Sequence, residues 1–552
     1  MLNHFTLTQK ITDKKVELAL KNQIMDEGDI YYGIPYDFKT GLCELRPCAG
    51  IASLFITEYY NPNSKYYKNM LLIQRAILAM QFIKERTNSD GSTDLLETNF
   101  HDATHNAFMI HDLGPAMLVM RDRMGDEEEE KLLYSLCMEF IEVSIDAMVN
   151  LGFHTPNHRW VLSGALAYCY KLTNDVRCTE TINKFLSEGI DCDENGEYTE
   201  RSAGVYNRVC NQTIMMMADL LEMPELFDHV TRNLNLARMF FMPDNTINTL
   251  NSTRQDMGRA PDYRVYYEDY LYMALYTGNP EFAYTADEML KKNLAEFEFN
   301  GNIKAIPENA LILLHPEWIE KFSKIETKKP ETDYERLMPL SGIMCKRIGD
   351  TALTLIAKRH IFCRLQKGNH TITMRFGSPF FGCGNLLSDE IEKTEKGYRL
   401  HMKSQAGYMA VFDEAPGTSV WAEMDHGKRR KVAIQEFEIT ADIEMSDHSL
   451  KMKFVTDGCG NVPTKLEMML EAGGLLDLGV AEFFANKGDY VYLKDADSRY
   501  IYQDGTEFKF KGAFNKHRFG KNMRNTPSYD SNSLTLCMTD FSNSEREVEI
   551  EF

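Results

Sequence analysis

The hydrophobic period of this chain changes once, near residues 324–333, and that change limits the possible folds more than any other feature. Before it, apolar residues recur at helical spacing, as in windows 70–83, 132–141 and 263–276. Breakers separate these windows: Asn61-Pro-Asn63, Asn88-Ser-Asp-Gly91, Asp193-Glu-Asn-Gly196 and Gly278-Asn-Pro280. After the change, short alternating stretches at 352–357, 371–376, 408–412, 432–439, 450–455 and 548–552 read as strands. The charged, proline-bearing segment 324–333 reads as a linker. The expectation is α+β and multidomain: an N-terminal (α/α) toroid of helical hairpins over 1–325, then an antiparallel β-sandwich over 326–552. No repeat of fixed period is present.

The 552 residues carry a formal net charge of −21. Such a balance argues against nucleic acid as a partner, because nucleic-acid binding needs a basic face. It leaves room for an acidic substrate, which a local basic cleft can hold. The 12 cysteines form no CxxC pair. No apolar run approaches the length of a membrane span, and the first residues do not read as a signal peptide. The expected location is therefore cytoplasmic, or periplasmic or secreted if a leader has been removed. No membrane contact is expected, and a homo-oligomer is compatible with the sequence.

Two stretches concentrate candidate chemistry. In Phe153-His-Thr-Pro-Asn-His-Arg-Trp160, Thr155 suits an N-cap and Pro156 the first helical position, where its missing N–H costs nothing. Asn157 and His158 then fall in the first turn. A helix N-terminus favours anions and disfavours imidazolium, so an amide and a neutral imidazole there suit a site that holds a carboxylate and removes a proton. The second stretch, Asp193 to Asn207, ends on Tyr206 near the start of another apolar helix.

With Thr98-Asn-Phe-His-Asp-Ala-Thr-His-Asn-Ala-Phe108, Thr155 to Trp160, and Gly196-Glu-Tyr-Thr-Glu-Arg-Ser202 continuing to Tyr206-Asn207, the chain resembles the heparinase II/III-type polysaccharide lyases. That resemblance implies a helical toroid followed by a β-sandwich, no cofactor, and an acidic oligosaccharide or polysaccharide as partner. It also implies Asn or His for the substrate carboxylate, with Tyr and His for proton transfer. One departure stands out. Where the family often carries a Gly-His-Gly-His type of strand start, this chain has Gly368-Asn-His370, and the single histidine argues against a zinc site in the β half.

The expected reaction is β-elimination at a uronate, giving an unsaturated product. The C5 proton is weakly acidic while the carboxylate is charged, so the carboxylate must be neutralised or polarised as charge develops. Asn157, helped by Arg159 or Arg201, suits that role. His158 suits the base and Tyr206 the acid, in an order that depends on substrate stereochemistry. His370 is the catalytic candidate of the β half. Substrate-binding candidates are Asn99, His101, His105, Arg159, Trp160, Glu200, Arg201, Arg254 and Asp256. His101 and His105 share helical i,i+4 spacing, but no glutamate stands between them in an HExxH pattern and no metal is expected. Tyr31, Tyr32, Tyr36, Trp160, Tyr263, Tyr266 and Tyr267 could stack on sugars, although core packing is the default for each. Two rivals remain. One is a glycoside hydrolase using two of Asp102, Glu197, Glu200 and Asp256. The other is a carbohydrate-binding protein with the fold and no chemistry.

Overall fold

The computed structural model describes residues 1–36, 41–301, 306–494 and 497–552. The described residues divide into two compact units. The first comprises residues 1–241 and 246–330, and the second residues 242–245 and 331–552.

The first unit contains thirteen α-helices among its described residues: α1 (His4–Asn22), α2 (Leu45–Tyr60), α3 (Met70–Arg86), α4 (Ala103–Arg123), α5 (Glu128–Asn150), α6 (Pro156–Thr173), α7 (Val176–Leu186), α8 (Tyr206–Leu220), α9 (Phe227–Ala237), α10 (Tyr267–Thr277), α11 (Pro280–Asn300), α12 (Asn309–Leu314) and α13 (Trp318–Lys324). Even-numbered helices from α2 to α8 pack side by side as an inner layer, and odd-numbered helices return outside them. Composition explains the division. Most of α4 and α6 is buried, so these helices are apolar or small on nearly every face, whereas α7 buries only Cys178, Thr181 and Ile182. Close approach of α4 to α6 requires Gly114, where a Cβ would lie 2.5 Å from Cγ of Tyr168.

Polar contacts of α1 close the ring. His4 Nδ1 bonds the Tyr267 hydroxyl of α10 at 2.7 Å, and Gln9 Nε2 donates to Glu58 of α2 at 2.8 Å. Asn309 of α12 also donates to Glu58, at 2.7 Å. Ahead of α4 lies a small antiparallel hairpin of β1 (Thr93–Leu95) and β2 (Asn99–Asp102), which the hydrophobic pattern does not announce. No described helix is long and apolar enough to cross a membrane.

The second unit is a sandwich of two sheets. One sheet has eight described strands, running from Tyr490–Tyr492 through Ser533–Phe541, Pro463–Glu471 and His370–Gly377 to the meander Cys363–Lys367, Thr351–Ile356, Ile343–Ile348, Tyr334–Met338. All its pairings are antiparallel except that of Tyr490–Tyr492. In the other sheet, of nine described strands, Lys431–Met445 lies between Tyr398–Met409 and Ser449–Gly458. Alternation turns one face of each sheet inward. Phe376 and Phe454 stack across the core with ring centroids 4.9 Å apart. The stretch expected as a strand at 408–412 is instead the end of Tyr398–Met409, and residues 410–412 lie beyond it. The apolar residues there have no facing core to bury them: Tyr408 and Val411 are exposed.

Candidate functional site

Three neighbouring helix N-termini form the candidate site. Proline sets the start of α6: Pro156 is its first residue, so Asn157 and His158 occupy the first turn as the sequence implies. Thr155 is the N-cap residue, but its side chain makes no capping bond, and that expectation is corrected. At α4 the cap is Asp102, whose carboxylate accepts from the N–H groups of Thr104 and His105. At α8 no residue caps directly. The Ser202 hydroxyl accepts from the Tyr206 N–H at 3.1 Å.

Buried polar atoms without a hydrogen-bond partner among the described residues cluster in these first turns. They are Thr104 Oγ1, His105 Nε2, Asn157 Oδ1, His158 Nδ1 and Asn207 Oδ1. Buried polar atoms are normally paired, so this concentration makes these first turns the candidate site. Thr104 and Asn207 are additions to the residues singled out from sequence. Both sit inside the resembling motifs, which was their only signal.

A continuous set of contacts joins α6 to α8. Asn157 is 1% exposed, and its Nδ2 donates to Glu200 Oε2 at 2.7 Å. The other Glu200 oxygen lies 3.5 Å from Arg254 Nε, and the Arg254 guanidinium sits 5.0 Å from the Tyr206 ring centroid. Gln255, not anticipated from sequence, donates to the Tyr206 hydroxyl at 2.7 Å. Burial raises the Glu200 pKa, against the Asn157 bond and the Arg254 charge. His158 shifts down because it is buried; the Asp102 charge opposes the shift and the Arg254 charge adds to it. The structure thus brings Asn157, Glu200, Arg254 and Tyr206 together, with His158 in the field of Asp102 and Arg254.

Other candidates support this cluster from behind or lie elsewhere. Asp256 is a buried hub, accepting from the Ser202 hydroxyl at 2.9 Å, the Ser252 hydroxyl at 2.5 Å and the Gly204 N–H at 2.9 Å. Both carboxylate oxygens are engaged within the chain leading to α8, so Asp256 holds that approach in place. Asn99 donates to Asp102 at 3.0 Å and steadies the α4 cap. His105 is buried with Nδ1 3.1 Å from Thr93 Oγ1, and burial lowers its pKa. His101 is exposed, lies in β2 with φ 54°, and pairs with Asp90 at 2.7 Å. Because α4 starts only at Ala103, the helical pairing of His101 with His105 is corrected. Among the described residues no group of three His, Cys, Asp or Glu could hold a metal ion.

Arg159 is held by Glu188 at 2.5 Å and stands 3.7 Å from Asp191, so both ends of its guanidinium are committed to carboxylates. Arg201 lies 3.9 Å from Glu197, whose carboxyl burial pushes up to about 7. Trp160 is corrected as a sugar platform: it is fully buried, with its indole N–H donating to Asp191 at 2.7 Å. Tyr263, Tyr266 and Tyr267 are core residues as well, and Tyr266 donates to the Ala203 carbonyl. Tyr31 and Tyr32 are partly exposed, and Tyr36 is exposed. In the second unit His370 Nε2 bonds Asp504 at 2.9 Å, and its ring stacks on Tyr502 at 3.6 Å.

A helical toroid joined in sequence to an antiparallel β-sandwich is the fold of polysaccharide lyases. Among solved structures the chain is similar to heparinase III, at 12% identity over 98% of this chain and 84% of that one, with a TM-score of 0.54. It is also similar to the heparan sulfate lyase HepC from Pedobacter heparinus (10% identity, 98% and 83% covered, TM-score 0.53). A mutant of the chondroitin AC lyase of Streptomyces coelicolor A3 matches as well (10% identity, 99% and 79% covered, TM-score 0.56). No family model matches the sequence, and no curated protein matches it.

Proposed function

We propose that this chain is a polysaccharide or oligosaccharide lyase that breaks a glycosidic bond at a uronic acid by β-elimination. The observation that carries the reading is the Asn157–Glu200–Arg254–Tyr206 contact chain, which leaves Asn157 Oδ1 and His158 Nδ1 without partners.

An ionised carboxylate only accepts hydrogen bonds, so Glu200 holds the Asn157 NH2 towards itself and leaves the buried amide oxygen without a partner. That oxygen can only accept. Placed against a substrate carboxyl, it favours the protonated, neutral form, in which the C5–H is far more acidic. The α6 N-terminus adds positive potential where negative charge develops. Burial keeps His158 neutral near pH 7 and able to take the C5 proton through an unpartnered ring nitrogen. Tyr206 accepts from Gln255, so its own O–H stays available for the leaving C4 oxygen. Arg254 beside the ring stabilises the phenolate that remains.

The test is ultraviolet absorbance during incubation with uronate-containing oligosaccharides. Elimination leaves a C4–C5 double bond conjugated to the carboxylate, whereas hydrolysis does not. Absorbance that rises with the native chain and is lost in Tyr206→Phe and His158→Ala supports the proposal. New reducing ends without absorbance sink the lyase reading in favour of hydrolysis, for which the raised carboxyls of Glu197 and Glu200 are the candidates.

A further inference from the structure

We infer that the β-hairpin arm from Ser404 to Glu436 is a self-association surface, through which two copies of this chain pair about a two-fold axis. Its stem is the outer part of two long strands of the nine-stranded sheet. In Tyr398–Met409 the buried residues are Tyr398, Leu400 and Met402, and none follows them. In Lys431–Met445 burial begins only at Phe437. Pairing with Ser449–Gly458 begins there too, so residues 431–436 belong to a two-stranded ribbon. Such a ribbon is marginal in water by itself and gains stability from cover on a face.

The apolar side chains of the arm are bare. Tyr408 and its register partner Val432 are exposed, and so is Phe381, whose ring meets the Tyr408 ring edge-on at 5.2 Å. Farther out, Val411 is 84% exposed and Trp421 65%. Met409 and Ile434 are exposed as well. Together these residues offer several hundred Å², at the upper end of what a monomer shows. A standard interface takes about 800 Å² from each partner, a little over half of it apolar, so the arm carries about one copy's share. Contact through side chains is favoured over addition to the strand edge. The ladder bulges between Val432 and Gln435, with Ala433 at φ 49°, and bulges blunt edges.

Charge identifies the occupant. The chain has a net charge of −21, yet residues 410–431 carry four acids and four bases. The two signs are separated. Arg430 and Lys431 sit where the ladder ends, with Lys431 opposite Met409, whereas Asp413 and Glu414 lie in the tip beyond it. Lys428 stands 3.8 Å from Asp425, and Arg429 donates to the Ala410 carbonyl at 2.6 Å beside the Phe412 and Trp421 rings. Among the described residues, the exposed Asp413, Glu414, Arg430 and Lys431 form no ion pair. A polyanion would meet the acids as well as the bases. A second copy crossing in the opposite direction sets its acidic tip on the basic stem of the first and receives the reverse. That is the self-complementary pattern a two-fold interface requires. The balanced arm is also where two chains of like net charge can approach without local repulsion.

The experiment is sedimentation equilibrium on the full chain over a range of concentrations. The native chain should form a dimer. Tyr408→Ser with Trp421→Ser should weaken it at least ~10-fold, as removal of central aromatic anchors does. Arg430→Glu with Lys431→Glu should be monomeric, and so should Asp413→Lys with Glu414→Lys. An equimolar mixture of those two charge-reversed chains should form a heterodimer, because each tip then meets a stem of opposite sign. The substituted residues are exposed, so thermal midpoints should match the native one. A native chain that is monomeric at every concentration overturns the inference. So does a dimer that survives all three variants, or a charge-reversed mixture that stays monomeric. Retention of a monomeric native chain on immobilised heparin, lost in Arg430→Glu with Lys431→Glu, would overturn it in favour of a polyanion.

Discussion

Asn157 donates its side-chain N–H to Glu200 at 2.7 Å, across 43 residues of sequence, and both residues are buried. This bond decides which amide atom is left without a partner. It makes Glu200 a positioning residue, because it acts through Asn157 and, by its other oxygen, through Arg254.

Truncating the amide should therefore damage the transition state more than binding. Asn157→Ala should lower kcat by ~10²–10³-fold, the usual cost of removing one group that stabilises developing negative charge. Glu200→Gln should lower kcat by about tenfold with KM nearly unchanged, because its amide can donate to Asn157 Oδ1 and reverse the presented face. Steady-state kinetics on both variants check this. A Glu200→Gln enzyme with full kcat would remove Glu200 from the mechanism.

The pH profile follows from the direction of the His158 shift. Burial lowers its pKa, so the neutral base persists below pH 6.5 and activity should fall only as pH drops through the lowered value. The Arg254 charge contributes to the lowering, hence Arg254→Ala should move the acid limb of the kcat/KM profile to higher pH. Unchanged or downward movement of that limb would separate His158 from the observed titration.

His111 offers a stability test away from the chemistry. It is buried in α4 with Nε2 2.8 Å from the Val161 carbonyl, and burial pushes its pKa down to about 4. The unfolded chain therefore binds its proton first. Stability is unaffected above pH 6.5, declines as pH falls through the window, and is reduced by about 3 kcal/mol below pH 4. His111→Gln cannot titrate, so its denaturation midpoint should fall less steeply with acid than that of the native chain. Parallel acid curves would disprove the assignment.

Asp256 should behave as a structural hub. Asp256→Ala leaves two hydroxyls and one N–H without their acceptor and should destabilise the fold by ~1–3 kcal/mol. Because the freed segment leads directly to Tyr206, kcat should fall with it, and calorimetry together with kinetics will show both. An intact thermal midpoint with lost activity would point instead to direct contact with substrate.

Much of the site was legible as helix starts. Pro156 and the apolar run behind it placed Asn157 and His158 in a first turn, and the structure starts α6 there. What could not be read was the identity of their partners. Nothing near Asn157 in sequence announces Glu200, and nothing near Tyr206 announces Gln255, 49 residues away. Trp160 and Tyr266 looked as suited to sugars as to the core, because an aromatic side chain has the same local pattern in either place.

The sequence by itself determined the architecture. The change from a helical to an alternating period dictates which faces must be buried, and that is a property of neighbouring residues. Tertiary structure alone decided the site. It turned Arg159 to Glu188 and left Arg254 for Tyr206, although the two arginines are chemically the same. It also took His101 out of helical register with His105 by placing it in β2, which ends at Asp102 before α4 begins. Burial and pairing across tens of residues depend on how the inner helices pack, and local pattern carries no information about that.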